Sequence, residues 1–307
     1  MRAYLDLARL VLDHGTDKPT RATLPSTGER VSARSIFGAQ ARFDLRQGFP
    51  AVTVKRLPFR GMVAELLWFL SGSTRLDDLH PAAREWWRPW ASAEGFVAYG
   101  YGRHWRSFGY PNADRWRELG DTSVDQIARL VADLRAVRDN PEHPAARRMI
   151  LTAWNPTFLD DTALPACHTL SQWSVTGGRL SCHLYQRSCD LLLGCPVNIA
   201  SYALLLHLLA RVVGLDVGEV VISYGDLHCY ANHLDQAREM LTREPRPLPR
   251  LYVPEELEFQ PLDGQGLPGF VVHHEAYGDG HPALLTIDDV ILEGYDPHPN
   301  LTGEMAV

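Results

Sequence analysis

Cys167 and His168 stand side by side, and their types invite a chemical reading before anything else in the chain. A thiol ionises near neutral pH, and its thiolate adds readily to electron-poor carbons. Neighbouring residues on an extended strand point to opposite faces, so His168 is badly placed to serve as base for Cys167. That argues against a cysteine hydrolase. Twenty positions on come Arg187, Ser188 and Asp190, a bidentate cation, a hydroxyl and a carboxylate in one short run. Arginine matches phosphate with paired donors better than lysine does, and Arg147-Arg148 precedes an apolar strand. Asn198 can donate and accept at once through its amide, or simply cap the apolar helix that follows it. His228 and Tyr230 share one strand face by their i, i+2 spacing. Glu65 lies within the apolar stretch 62–70, where an unpaired carboxylate is costly. Cys182, Cys189, Cys195 and Cys229 read as small buried hydrophobes.

The elements that hold these residues follow from pattern. Tyr4, Leu5, Ala8, Val11 and Leu12 recur at helical spacing, with Gly15 as a stop. Residues 62–70 form a second helix closed by Ser71-Gly72. Ser123-Val124-Asp125-Gln126 has the spacing of a capping box ahead of Ile127, Leu130, Val131, Leu134 and Val137. Residues 149–154 read as a strand. Thr176-Gly177-Gly178 joins two further strands as a hairpin. The polar, Pro/Gly-rich segments 22–34 and 260–282 read as surface loops or insertions. The whole predicts an α+β fold with a large mixed sheet packed by helices, in one domain.

Composition bounds the function. The chain has 307 residues, 45% hydrophobic and 22% charged, with a formal net charge of −7, which disfavours disorder and any general affinity for nucleic acid or membrane surfaces. Five cysteines without CxxC spacing make a disulfide framework or a zinc site a poor reading. The start of the chain has the pattern of an amphipathic helix and not of a signal peptide. The most apolar stretch, residues 200–213, reads as a buried helix too short for a bilayer. A cytoplasmic enzyme is expected.

Longer blocks carry a resemblance. They are Leu164-Pro165-Ala166-Cys167-His168, Tyr185-Gln186-Arg187-Ser188-Cys189-Asp190, Leu193-Gly194-Cys195-Pro196-Val197-Asn198, Gly225-Asp226-Leu227-His228-Cys229-Tyr230 and Arg243-Glu244-Pro245-Arg246-Pro247-Leu248-Pro249. With Glu65-Leu66-Leu67-Trp68-Phe69-Leu70 and Glu293-Gly294-Tyr295-Asp296-Pro297-His298-Pro299, in this order, the chain resembles the folate-dependent thymidylate synthases over nearly its whole length. The resemblance implies reductive methylation of dUMP with 5,10-methylenetetrahydrofolate as co-substrate, and no metal, flavin or nicotinamide. It implies that Cys167 is the nucleophile and that Arg21, Arg187 and Ser188 bind the nucleotide phosphate. Arg147 and Arg148 would reach the partner's site in a homodimer whose interface is a sheet face. Asn198 would read uracil, where relatives acting on cytosine tend to carry Asp. His228 and Tyr230 would hold the sugar 3′-hydroxyl, and His168 a water network beside the base. Asp190 would bond the pterin, with Trp87, Trp90, Leu164, Leu193, Gly194 and Val197 lining its slot. Glu65 would handle protons at the folate and at O4, and Tyr101 would order water for removal of the C5 proton. Lys55 and Arg56 would steer the folate's glutamate tail or the loops around it, and the ending Met305-Ala306-Val307 would cover the site.

The chain also departs from that pattern. The usual Arg-Thr-Gly-Thr-Gly-Thr loop is replaced after Arg21 by a longer segment, in which Arg30 and Arg34 are alternative cations. Ala166 stands where Pro is usual before the nucleophile. Pro58 replaces a folate-contacting His, and Val197 a Phe. A pyrimidine-nucleotide hydroxymethylase on the same scaffold is the alternative reading. A nucleic-acid-binding regulator without catalysis is a more distant one.

Overall fold

The computed structural model describes residues 1–109, 123–261, 269–273 and 282–306. The elements run α1 (Arg2–His14), β1 (Thr16–Lys18), β2 (Ala33–Asp44), α2 (Phe59–Ser71), α3 (Pro81–Trp87), α4 (Tyr101–Arg106), α5 (Gln126–Asp139) and β3 (Ile150–Thr152). They continue as β4 (His168–Thr176), β5 (Arg179–Asp190), α6 (Gly194–Val213), β6 (Asp216–Tyr230) and α7 (Leu234–Thr242). Short strands follow: β7 (Arg250–Tyr252), β8 (Leu257–Gln260), β9 (Gly269–Val272), β10 (Ala283–Leu284) and β11 (Ile291–Glu293).

β1 to β6 form one mixed sheet in the order β1-β2-β6-β5-β4-β3. All its pairs are antiparallel except β5 with β6, which α6 joins as a crossover. The hairpin between β4 and β5 turns on Gly177 and Gly178 at φ 57 and 73, values that a two-residue turn of the favoured twist requires and that glycine adopts freely. α6 is apolar on most of its circumference because it runs through the core. Leu204, Leu205, Leu206, Leu208 and Leu209 are fully buried, each contributing about 1.5–3 kcal/mol over the exposed side chain. It is long and apolar enough to cross a bilayer, yet 78% of its apolar window is buried in the fold. Gly214, left-handed at φ 70, ends it.

The burial rhythm of the central strands slips in step. β5 buries Leu180, Cys182, Leu184 and Gln186, then Cys189; β6 buries Val220, Ile222 and Tyr224 most deeply, then Leu227 and Cys229, with Val221 and His228 buried on its other face. A spacing of three replaces a spacing of two in both strands. Their pairing is undisturbed by it, since Gln186 faces Tyr224 and Ser188 faces Asp226. Gly38 of β2, at φ 85, lies in line between the pairs Phe37–Asp226 and Ala39–Tyr224. Gly225 is required here: a Cβ would meet the Arg187 carbonyl oxygen at 2.8 Å. Because side chains alternate with period two, the slip turns Ser188, Asp190, Asp226, His228 and Tyr230 away from the core-facing side.

Several expectations need correction. The cap of α5 is Asp125, which accepts from the Ala128 N–H, and not Ser123. Gln126 instead braces β3, giving to the Thr152 carbonyl at 2.8 Å and taking from its N–H at 3.0 Å. Segment 260–282 is not simply a surface loop. Phe270, Val271 and Val272 are buried in β9, the middle of the sheet β10-β9-β8, while 262–268 and 274–281 lie outside the described residues. Segment 22–34 closes on itself through a bridge between Thr23 and Arg30. Ser26 then ties it to the tail, its N–H and hydroxyl each donating to the Glu304 carboxylate at 2.6 Å.

Candidate active site

Cys167 lies immediately before β4, half-buried. The Tyr101 hydroxyl accepts from the Cys167 N–H at 2.9 Å and from the His168 N–H at 3.2 Å, so α4 fixes the backbone at the thiol. Burial pushes the thiol pKa up, and the Arg187 charge works against that. Arg187 is clamped beside the cysteine. Its Nε donates to Ala166 O at 2.9 Å and its Nη2 to Pro165 O at 2.5 Å, and its guanidinium lies over the Trp154 ring at 5.4 Å. Nη1 stays free of these carbonyls, in keeping with a role toward an anion.

Asn198 is a resident of α6, not its cap, which is Leu193. Its Oδ1 accepts from Gln186 Nε2 at 2.8 Å. The same Nε2 also donates to the Ser188 carbonyl at 3.1 Å, and a carbonyl can only accept. The orientation of the Gln186 amide is therefore fixed, and with it the oxygen of Asn198. Gln186 was missed in the sequence. The available signal was a polar residue at the buried parity of β5. His168 is buried, and its imidazole pKa is lowered to about 4, so it is neutral; burial is the cause, against a hydrogen bond with Asn198. Its Nδ1 has no partner among the described residues.

Glu65, on α2, is buried, and burial pushes its carboxyl up to about 7 against one bond from Trp87 Nε1 at 2.7 Å. Trp87 meets Trp68, Phe69 and Tyr101 edge-on, with centroids 5.4 to 6.2 Å away. Trp90, Leu164 and Val197 pack partly buried against the core, and Leu193 with Gly194 opens α6. Asp190 accepts from the Leu192 N–H at 2.9 Å, and His233 Nδ1 stands 4.0 Å away. Lys55 is 4% exposed, and burial lowers its ammonium pKa to about 8 against the pull of Asp190, so it stands inside the fold. Arg56 is exposed.

His228 and Tyr230 are 4.9 Å apart, ring to ring. Arg21 is exposed, and its charge acts on the Tyr230 hydroxyl, which puts it at this edge of the sheet. Arg34 is held bidentately by Asp17 at 2.8 and 2.9 Å. Arg30 is exposed. Arg147 and Arg148 are exposed at the entry to β3 and make no ion pair among the described residues. Ala306 is half-buried; Val307 lies outside the described residues. His233 Nε2 and Asn232 Nδ2 bond the Glu304 carbonyl at 2.9 and 3.1 Å, which anchors the tail next to the Asp190 neighbourhood. Two surface hollows of about 640 and 610 Å³, one bordered by His207 and Arg211 and the other by Arg42 and Glu219, contain none of these residues.

One fold thus holds a half-buried thiol beside an arginine, an oriented amide on a helix and a buried carboxyl of raised pKa on another. The family model for thymidylate synthase matches residues 2–307, and the chain belongs to that family. It is accordingly a methyltransferase family member, of a family that uses methylenetetrahydrofolate and acts on a pyrimidine nucleotide.

Proposed function

We propose that the enzyme converts dUMP to dTMP, taking both the one-carbon unit and the hydride from 5,10-methylenetetrahydrofolate and releasing dihydrofolate. The observation that carries this reading is the Asn198 amide, oriented by Gln186 with its oxygen as acceptor. That oxygen is an acceptor suited to the N3–H of uracil, and Nδ2 remains to donate to O4. Cytosine, with no N3–H and an amino group at position 4, mismatches both.

Cys167 sulfur bonds C6 and moves electron density to C5 and O4. The carbanionic C5 bonds the methylene carbon of the folate. The C5 proton passes to water, for which the Tyr101 O–H is the donor left over once its oxygen has accepted two backbone N–H groups. Elimination releases the folate, whose hydride then reduces the exocyclic methylene as the sulfur–C6 bond breaks. A Glu65 carboxyl near 7 exists in both forms at neutral pH, which suits proton transfer at the folate and at O4. Arg21, Arg187 and Ser188 receive the phosphate, His228 and Tyr230 the sugar, and Asp190 the pterin.

The enzyme works as a homodimer in this reading. Tyr185, Leu170 and Ile150 are 40%, 40% and 49% exposed on neighbouring strands, large side chains left for a second copy to cover. The unpaired Arg147 and Arg148 lie at the end of that surface and complete the partner's phosphate site. The product decides between methylase and hydroxymethylase. Incubation with dUMP and methylenetetrahydrofolate is expected to give dTMP by mass with one dihydrofolate by absorbance; hydroxymethyl-dUMP without dihydrofolate would overturn the reading.

A further inference from the structure

Asp226 sits two residues before His228 on β6, in register with Ser188 of β5. A carboxylate there faces the residues assigned to the nucleotide's phosphate and sugar, where an isolated negative charge repels the ligand. It is not isolated. Lys18 of β1 forms an ion pair with Oδ2, the Ser35 hydroxyl of β2 donates to Oδ1 at 2.5 Å, and His228 Nδ1 stands 3.5 Å from Oδ1 and 3.4 Å from the Asp226 backbone carbonyl. Burial raises the carboxyl, but the bonds from His228, Lys18 and Ser35 outweigh it and hold Asp226 ionised well below the usual range.

Two acceptors flank Nδ1, the Asp226 carbonyl and its permanently charged carboxylate, and together they make that nitrogen the protonated one, leaving Nε2 as the acceptor. We propose that Asp226, neutralised by Lys18 and steadied by Ser35, is a positioning residue that fixes the tautomer of His228 toward the sugar 3′-hydroxyl. The proposal rests on the sugar-binding reading of His228 and Tyr230. It gives a purpose to the ion pair by which β1, a strand of three residues paired with β2, reaches β6. Lys18 cancels the charge that the tautomer lock introduces, three positions before Arg21.

Asp226→Asn separates these roles with little change of shape. An amide has one oxygen for contacts that now use two. Pointing its NH2 at the Lys18 ammonium sets donor against donor, so the NH2 turns to His228, where it opposes the Nδ1–H that the residue-226 carbonyl still holds and displaces the imidazole from its position. The test is steady-state kinetics with dUMP and with its 3′-deoxy analogue, 2′,3′-dideoxyuridine monophosphate. Wild type is expected to lose about tenfold in kcat/KM on the analogue. Asp226→Asn is expected to raise KM for dUMP about tenfold with kcat within about twofold, and to show under about twofold loss on the analogue. A variant penalised equally on both nucleotides overturns the proposal alone. A wild-type enzyme indifferent to the missing hydroxyl overturns the sugar-binding reading and the proposal with it. Lys18→Gln serves if Asp226→Asn does not fold: a loss of about threefold confined to dUMP supports the lock, and an equal loss on both overturns it.

Discussion

The outer face of the sheet has two halves that share strands but little else. Before the slip it carries Ser181, His183 and Tyr185 on β5 with Ser223 on β6, joined only by modest contacts such as His183 to Ser223 at 2.9 Å. After it come Arg187, Ser188, Asp190, Asp226, His228 and Tyr230, nearly all held by named partners. One half leaves large side chains exposed; the other holds its side chains through their neighbours. The two halves thus differ in how far neighbours preorganise the side chains, and not in residue type alone.

The sharpest way to break the second half is to remove its nucleophile. Cys167→Ser is expected to lower turnover by more than about 10³-fold with dUMP affinity and subunit mass unchanged, measured by single-turnover kinetics and light scattering, because a serine hydroxyl is far less ionised. Activity within a few-fold of wild type would remove Cys167 from its role. The separation of the halves is tested by mixing. Arg148→Ala and Cys167→Ser proteins, each inactive, should recover about a quarter of wild-type activity after random subunit exchange, since half the dimers then hold one intact site. Demonstrated exchange without recovery argues against a shared site.

Asn198→Asp sharpens the reading of the amide. The dCMP/dUMP ratio of kcat/KM is expected to rise, each mismatched buried group costing about 1–3 kcal/mol. An unchanged ratio would place base selection elsewhere, with His168 and its water. A smaller effect comes from Glu65. Its folded pKa of about 7 lies above the ordinary 4.5, so the native state binds the extra proton between these values, and stability from this group falls as pH rises through that window. Relative to Glu65→Gln, the wild type should lose up to about 3 kcal/mol between pH 5 and pH 8, read by denaturant melts of both proteins. Parallel melts at the two pH values would show Glu65 to be solvated.

Much of this arrangement is legible in the chain, and the failures have particular causes. Helical spacing marks α1, α2, α5 and α6, and the Gly177-Gly178 pair marks the hairpin, because both signals are local. Ser123 misleads because Asp125 is nearer and because Gln126 is drawn to β3, a contact that no local pattern encodes. Segment 260–282 looks like a loop by its Pro and Gly, yet Phe270-Val271-Val272 is a buried strand run. Cys167, Arg187 and Asn198 declare themselves by type and motif. Gln186 and the Lys18–Asp226 pair do not, since their meaning depends on partners that sequence separation hides.

The slip also sets where this chain tolerates a change in length. One residue added to or removed from β5 beyond Gln186, or β6 beyond Tyr224, inverts every side chain after it, turning Asp190 or His228 into the core and Cys189 or Leu227 outward. A deletion in one strand alone would also put it out of step with its parallel neighbour, so the two would have to change together. The turn at Gly177 and Gly178, where an added Cβ meets nothing within 4 Å, is free of that constraint. Length is therefore pinned at the chemical end of the sheet and loose at the other, an asymmetry that a library of single-codon insertions would display as a sharp boundary along β5.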